Sequence, residues 1–246
     1  MKGLLSVMGR ELRAFFFSPL AYIVAALLLV VNGLVFWLIV SYLNDPRAGF
    51  GAPLELFFGQ TLYFWLVLLF VAPVLTMRLL SEERRSGTIE VLMTAPVTEG
   101  QVVTGKYLAA LLFYCFLWLP TLAYPALLAY YSEVDWGPVV AGYLGVLGIG
   151  ALFLSVGLLA SSLTRSQLVA AILTFAMLIP LFTFGLLENL FSEAPIREAL
   201  SYLNLWQHMA ELGKGIVDTR HLVYYLSASV LFVFLSARAL ESRKWR

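Results

Sequence analysis

Long stretches without a charged residue are the feature of this 246-residue chain that most restricts its fold. Lysine and arginine number 16 and aspartate and glutamate 15, yet six stretches contain none of them. A helix needs about 20 apolar residues to cross the hydrocarbon core of a bilayer. We therefore predict an all-α integral membrane protein with six transmembrane helices. The charge-free stretches are 14–44, 56–77, 107–132, 136–164, 166–187 and 221–237.

Composition excludes several other classes of protein. Hydrophobic residues make up 61% of the chain and charged residues 13%, whereas soluble domains carry about 25% charged residues. A net charge of +1 does not provide the basic field that a nucleic-acid-binding protein needs. The single cysteine, Cys115, excludes an internal disulfide framework and a cysteine-based metal site.

The chain is predicted to form a single transmembrane domain over residues 1–246, with a long cytoplasmic loop at 78–101 and an outer segment at 188–221. Twelve of the lysines and arginines fall on the side of the two termini and four on the other side. This distribution places both termini in the cytoplasm. The spans are predicted at about 19–42, 56–77, 106–131, 138–162, 167–187 and 222–240.

The first 18 residues have an amphipathic pattern. Their apolar residues repeat at helical spacing, and basic and hydroxyl residues lie opposite. The pattern predicts an interfacial helix before the first span, although a simple N-terminal anchor would have the same pattern. The apolar set is Leu4, Leu5, Met8, Leu12, Phe15 and Phe16, and the polar set is Lys2, Ser6, Arg10 and Arg13.

Residues that could support ion-coupled transport or catalysis are scarce. No ionisable residue lies in the middle of a predicted span, which disfavours an ion-coupled carrier. The two histidines, His208 and His221, have no metal-binding spacing to acidic residues or cysteine. Glu188 and Glu193 could form a carboxylate pair, but an acidic rim on an outer loop explains them equally well. We predict no catalytic site, metal or cofactor bound by the chain itself.

Residues 100–106 have the glycine and lysine spacing of a phosphate-binding loop, but Tyr107 stands where the loop needs a hydroxyl for Mg²⁺. The segment has a simpler interpretation. Thr98 and Gln101 form a capping-box pattern that begins the third span, and Lys106 is expected at the headgroup boundary. We predict that the chain does not bind ATP.

The cytoplasmic loop after the second span contains a run of charges and then a short apolar helix. Gly87 permits a change of direction after the charges, and Pro96 ends the helix predicted at about 88–94. Docking into a groove on another protein would cover the apolar face of that helix, whereas a plain connecting loop would leave it in water. The charges are Glu82, Glu83, Arg84 and Arg85, and the apolar residues are Ile89, Leu92 and Met93.

Four stretches resemble the permease subunit of an ABC-2-type (type V) ATP-binding-cassette transporter. The loop stretch 77–90 reads Met-Arg-Leu-Leu-Ser-Glu-Glu-Arg-Arg-Ser-Gly-Thr-Ile-Glu, and Gly-Lys-Tyr follows at 105–107. Phe-Ser-Pro-Leu-Ala-Tyr-Ile at 17–23 and Gly-Ile-Val-Asp-Thr-Arg at 215–220, with Ser-Arg-Lys-Trp at 242–245, complete the pattern. The end pattern is most similar to the gliding-motility-associated permeases.

The resemblance implies a bacterial inner-membrane subunit that works with separate ABC ATPase subunits, which bind the ATP and Mg²⁺. It also implies a second permease copy or a related permease, short re-entrant helices at 195–210 and 211–216, and room for an auxiliary extracytoplasmic subunit. The short loop helix would be the coupling helix, and the turn between the fourth and fifth spans would be a second cytoplasmic contact. The implied coupling residues are Glu82, Glu83, Arg84, Arg85, Gly87, Thr88, Glu90, Leu92 and Pro96, and those of the second contact are Thr164 and Arg165.

Two functions follow from these features. The first is an exporter subunit that moves substrate by alternating access, driven by ATP hydrolysis in its partners. The alternative is a membrane scaffold that anchors an ABC ATPase to a larger envelope or motility complex without transporting. The sequence leaves the substrate open, and it does not distinguish a homodimer from a heterodimer.

Overall fold

The computed structural model describes residues 2–45, 53–87, 98–187 and 200–242, and within these ranges all regular structure is helical. The all-α prediction is confirmed for this part of the chain. The helices are α1 Lys2–Phe16, α2 Pro19–Leu43, α3 Leu62–Thr76, α4 Ser81–Ser86, α5 Glu99–Trp118, α6 Ala123–Tyr131, α7 Trp136–Leu163, α8 Gln167–Leu187, α9 Leu205–Gly213 and α10 Thr219–Glu241.

Five helical segments among the described residues are long and apolar enough to cross a membrane. They are α2, α3 continued through α4, α5 continued through α6, α7 and α10. Helix α8 occupies the fifth predicted span, but its apolar part, Gln167–Thr183, is shorter than the other five. The protein is therefore a multi-pass membrane protein, and the sixth crossing stays a prediction. So do the re-entrant helices, whose predicted range contains α9 and extends into residues outside the described ranges.

The predicted span 56–77 corresponds to two helical pieces. A wide turn over Leu56–Gln60 ends at Thr61, whose hydroxyl caps α3 by accepting a hydrogen bond from the backbone N–H of Phe64. Gly59 makes the break possible because its φ of 81° is a conformation that side-chain-bearing residues rarely adopt. The indole N–H of Trp65 donates to the carbonyl of Gly59 at 2.8 Å and fixes the turn against α3.

The third span also changes helix type within the apolar stretch. A 3₁₀ turn at Leu119–Leu122, containing Pro120, separates α5 from α6. Proline cannot donate the hydrogen bond that a continuous α-helix would require at this point. The α-helical hydrogen-bond pattern is therefore interrupted at Pro120, and α5 and α6 together remain one apolar segment of 33 residues.

Helix α7 is the centre of the bundle and contacts α3, α4, α5, α8, α9 and α10. About two thirds of its apolar window is buried, compared with a third for α2 and a sixth for α10. Small residues allow this close approach. A Cβ on Gly150 would lie 2.1 Å from the ring of Tyr114, and a Cβ on Gly157 would lie 2.1 Å from the hydroxyl of Thr76.

The bundle has two differently constructed ends. We call the first the α4 end, which consists of α1, α4, the first turns of α5 and the last turn of α7. The second is the α9 end, which consists of the turn Leu56–Gln60, α9 and the first turns of α7 and α10. The residues predicted to contact an ATPase fall at the α4 end, as far as the described ranges include them.

Candidate functional site

Helix α4 continues from α3 after a short turn and carries the charged residues of the loop. Glu82 and Glu83 lie in its first turn and Arg84 and Arg85 in its last, an order that suits the helix dipole. Gly87 ends the helix with a φ of 72°, a left-handed conformation that glycine adopts without steric cost. Gly87 therefore ends the charged helix, and the residues that follow it lie outside the described ranges.

The last turn of α7 anchors the beginning of α4. The hydroxyl of Ser161 accepts hydrogen bonds from the backbone N–H groups of Leu80 and Ser81, each at 3.1 Å, and donates to the carbonyl of Met77 at 3.2 Å. The guanidinium of Arg84 also donates to the carbonyl of Ser162. Ser161 and Ser162 are fully buried, so water does not compete for these bonds. Helix α4 is therefore attached to the central helix at two points.

A cluster of four charges, here called the ion cluster, connects α4 to α1 and α5. Its centre is Lys106, whose side chain is 2% exposed and whose Nζ lies 2.8 Å from Oε1 of Glu11 and 3.0 Å from Oε1 of Glu83. Arg10 lies on the outer side, with Nη2 at 3.1 Å from the same oxygen of Glu83 and 3.2 Å from that of Glu11. Two cations between two carboxylates leave the cluster electrically balanced.

Close packing of α1 on α5 brings the ion cluster together. Gly105 precedes the buried lysine, and a Cβ at this position would lie 3.1 Å from the carbonyl oxygen of Leu4 and from a methyl group of Val7. Phe15, near the end of α1, stacks on Phe113 of α5 with ring centroids 5.0 Å apart. The apolar face of the amphipathic helix is thus packed against the bundle.

Arg78 fixes the end of α3 to the junction of α1 and α2. Its guanidinium donates to the hydroxyl of Ser18 at 2.9 Å and lies over the ring of Phe15, 4.8 Å from the centroid. Ser18, which precedes Pro19, therefore takes part in the attachment of α1. The polar contact of Arg78 with Ser18 thus joins the end of α3 to α1 and α2.

The structure divides the predicted coupling residues into two groups. Glu82, Arg85 and Gly87 are exposed, whereas Glu83 and Arg84 are half-buried and bond to other parts of the chain. Within the described residues, Oε2 of Glu83 has no hydrogen-bond partner although it is buried. The remaining predicted residues, Thr88, Glu90, Leu92 and Pro96, lie outside the described ranges, as does the predicted helix at 88–94.

The turn predicted as a second contact lies next to α4. Thr164 follows α7, and its hydroxyl accepts a hydrogen bond from the backbone N–H of Ser166 at 3.2 Å, which starts the turn into α8. Arg165 is exposed. Since Arg84 bonds to Ser162 just before this turn, the structure brings the two regions together, although they are about 80 residues apart in sequence.

The capping-box interpretation of residues 98–101 is confirmed. Thr98 accepts from the backbone N–H of Gln101, and the side chain of Gln101 accepts from the backbone N–H of Thr98, both at 3.3 Å. The segment that resembles a phosphate-binding loop is therefore the first turn of a helix. In the described ranges no group of three or more metal-ligating side chains is assembled.

The sequence analysis missed the partners of Lys106. This lysine was expected at the headgroup boundary, but it is 1% exposed as a whole residue and its partners are 95 and 23 positions earlier in the chain. One signal was available, because Lys106 is the last charge before a stretch of 26 uncharged residues. A lone charge at such a boundary needs a partner whenever neighbouring helices cover it.

Comparison with known families gives a result that covers nearly the whole chain. Residues 7–240 match the family described as ABC-2 family transporter protein, from the middle of α1 to the last turn of α10. A comparison with curated proteins finds no match. The family match does not extend to the gliding-motility branch, which stays a prediction.

Proposed function

The chain belongs to the ABC-2 transporter family, and we propose that it is the permease subunit of an exporter whose separate ABC ATPase subunits bind at the α4 end. The proposal places both termini and the α4 end in the cytoplasm of a bacterial inner membrane. The ATPases supply the bound ATP and Mg²⁺, and the permease supplies the path. We assign the chain itself no catalytic residue.

One observation carries this proposal: an exposed set of charges lies on a helix that is attached to the centre of the bundle. Glu82 and Arg85 are exposed, whereas Ser81 and Arg84 of the same helix bond to the last turn of α7. A partner that binds the exposed charges can therefore displace α7 through these hydrogen bonds. Residues 88–97 and the turn at Thr164 and Arg165 complete the proposed contact surface.

The inward-facing position of Glu83 refines the proposal. Its carboxylate is paired with Lys106 and Arg10, so its proposed role is to hold α1 and α4 together and not to contact the ATPase. Reversal of this charge would place two cations side by side and disturb the fold. The exposed pair Glu82 and Arg85 is the more informative place to test docking.

We test docking with the double charge reversal Glu82→Lys/Arg85→Glu, which leaves the net charge unchanged. Affinity purification of the tagged chain from native membranes in mild detergent, followed by mass spectrometry, measures the amount of ABC ATPase that copurifies. We expect at least a tenfold loss of ATPase relative to the unmodified chain. The matched control is Glu133→Lys/Lys214→Glu, a reversal of two exposed charges at the α9 end.

Equal loss in both double variants would contradict specific docking at the α4 end. Absence of any ABC ATPase from the unmodified sample would overturn the proposed function itself. A second measurement distinguishes transport from anchoring. The rate of ATP hydrolysis by the purified complex is compared in liposomes and in detergent, each with and without lipid extract from the source membrane. A scaffold would give the same rate in all of these conditions.

We further propose that a second permease copy, or a related permease, completes the transport path. The exposed apolar surfaces of α2 and α10 support this proposal, because only a third of the apolar window of α2 and a sixth of that of α10 are buried within one chain. Lipid covers whatever part of these surfaces a second permease leaves free. Export, re-entrant helices around α9 and an auxiliary extracytoplasmic subunit are the remaining parts of the proposal.

A further inference from the structure

The two histidines of the chain meet at the α9 end. His208 lies in α9 and His221 in the first turn of α10, and their rings stack with centroids 4.0 Å apart and planes inclined by 25°. Both residues are buried, with exposures of 2% and 8%. Among the described residues, neither Nδ1 atom has a hydrogen-bond partner. We call these two side chains the histidine pair.

One acidic side chain contacts the histidine pair directly. Oε2 of Glu211 lies 3.4 Å from Nε2 of His221, while its other oxygen accepts a hydrogen bond from the amide of Gln207 at 3.0 Å. Asp218, before α10, is held by Arg220 at 2.6 Å and acts on the pair from further away. Helices α7 and α8, which also pack on α9, contain no charged residue. Among the residues that the structure describes, the remaining titratable groups around the pair are Tyr202, Tyr224 and Tyr225.

The charge balance permits one protonated imidazole but not two. Glu211 can neutralise a proton on His221, because the carboxylate is adjacent to Nε2. A second proton on His208 would place a like charge 4.0 Å away in a site from which most water is excluded. Burial and the neighbouring His221 lower the pKa of His208 from 6.5 to about 4.

Protons can reach the pair through a small polar cavity. It has a volume of about 150 Å³, which is enough for a few water molecules, and both histidines line it. Its other walls come from residues before α9, from α9 and from the start of α10: Ser201, Tyr202, Gln207, Glu211 and Arg220.

Helix α9 contacts the bundle through closely fitted apolar side chains. Its position is therefore sensitive to the histidine pair, where α9 meets α10. Met209 and Leu212 pack over Gly145 of α7, where a Cβ would lie 2.7 Å from the sulfur of Met209. Trp206 packs on Trp65 with centroids 4.9 Å apart. No ion pair joins α9 to α7 or α8 among the described residues, since neither of these helices carries a charge.

We propose that the histidine pair is a pH-sensitive lock that holds α9 against α10 while His208 is neutral and releases α9 when both rings are protonated. This inference does not depend on the proposed function. If the α9 end faces the outside of the cell, as the proposed orientation requires, the lock responds to the acidity of that compartment.

The direction of the pH effect follows from proton linkage. When α9 is released, His208 regains an ordinary pKa and binds a proton more readily than in the docked state, so docking weakens as pH falls below 6.5. Docking is fully effective above that value and is lost progressively down to about pH 4. From pH 7 to pH 5 the docking equilibrium should shift by about 20-fold toward release.

Hydrogen–deuterium exchange of the full chain in detergent micelles tests the lock. The measured quantity is the protection of the amides of α9, with each rate divided by the intrinsic exchange rate at that pH. We expect protection of α9 to fall about 20-fold from pH 7 to pH 5. Amides in the buried middle of α7 should keep their protection at both values and serve as the internal reference.

The variant His208→Phe retains a ring for stacking but cannot be protonated, so its α9 protection should lose most of its dependence on pH. If this variant does not fold, His221→Phe removes the second charge and should reduce the response, while the burial of His208 maintains the remainder. Equal protection of the unmodified chain at both pH values would overturn the proposal. A pH response of normal size in a folded His208→Phe variant would overturn it as well.

Discussion

The two ends of the bundle are held together by different interactions. At the α4 end, Lys106 joins three segments through ion pairs, and Ser161 joins a fourth through hydrogen bonds. At the α9 end, aromatic rings pack against glycines, as in the contact between Phe58 and Gly142, where a Cβ would lie 2.5 Å from the ring. Charges act over a distance and tolerate small shifts, whereas a ring against a glycine requires one fitted position.

The contacts at each end suit the role that we propose for that end. A surface that binds and releases a soluble partner needs exposed charges on a firmly attached base, and the α4 end has both. An end that opens and closes needs contacts that are lost together when a helix moves away, and the packing around α9 has that property. Each prediction below removes one kind of contact and compares the result with a matched change elsewhere.

The largest effect is expected from Lys106→Met. This change leaves the carboxylates of Glu11 and Glu83 in a half-buried site with only the outer cation Arg10, and it should lower the free energy of unfolding by about 3 kcal/mol. Thermal unfolding in detergent, followed by intrinsic fluorescence, measures the loss. Arg13→Ala is the control, because Arg13 is an exposed cation on α1 outside the ion cluster.

Neutralisation of the two partners should recover most of this loss. The triple variant Lys106→Met/Glu11→Gln/Glu83→Gln leaves only Arg10 charged in the cluster, and this side chain is 51% exposed and can be hydrated, so the variant should unfold close to the unmodified protein. If the triple variant is less stable than Lys106→Met alone, the ion cluster is not what makes the lysine important. Stronger ionic screening should also change the single variant more than any variant at the α9 end.

A smaller effect is expected from Gly142→Ala at the α9 end. The added methyl group meets the ring of Phe58, which is fully buried and cannot move aside, so the change should cost about 1–3 kcal/mol. Gly100→Ala is the matched control, since nothing lies within 4 Å of its Cβ position. The same thermal unfolding measurement applies.

Phe58→Leu should relieve part of the cost of Gly142→Ala, because the smaller side chain makes room for the methyl group. Additive effects of the two substitutions would show that the glycine and the ring do not act through their contact. Comparable losses for Gly100→Ala and Gly142→Ala would point to a general effect of helical glycines and would remove the distinction between the two ends.

The smallest effect is expected from Gly87→Ala at the end of α4. No atom of the described residues obstructs a Cβ here, so the left-handed backbone conformation carries the cost, about 1 kcal/mol. Gly87→Asn should be tolerated better because asparagine adopts this conformation more readily. Identical unfolding temperatures for the two variants would mean that the turn can take another backbone conformation.

Sequence patterns predicted the parts of the fold that depend on neighbouring residues. The charge-free stretches gave the apolar helices, Gly87 gave the turn after α4, and the reciprocal bonds of Thr98 and Gln101 gave the start of α5. Each of these features is decided within a few residues. They required no knowledge of how the helices pack.

Features that depend on contacts between distant segments were not predictable in the same way. The break at Gly59 lies inside an uninterrupted apolar stretch, where charge counting detects nothing. Glu11 pairs with Lys106 and His208 stacks on His221 only because helix packing brings them together. A local sequence pattern shows that a charge or a ring is present, but the packing of all the helices determines which residue it contacts.

The central helix belongs to both ends, and this has a mechanical consequence. Its 28 residues form a rod about 42 Å long, with Ser161 in its last turn and Gly142 in its second. If such a rod tilts about its middle by about 5°, each tip swings by roughly 2 Å in opposite directions, given the helical rise of 1.5 Å per residue. A displacement of α4 would then separate Gly142 from the ring of Phe58, so a small movement at one end of the bundle would open a gap at the other.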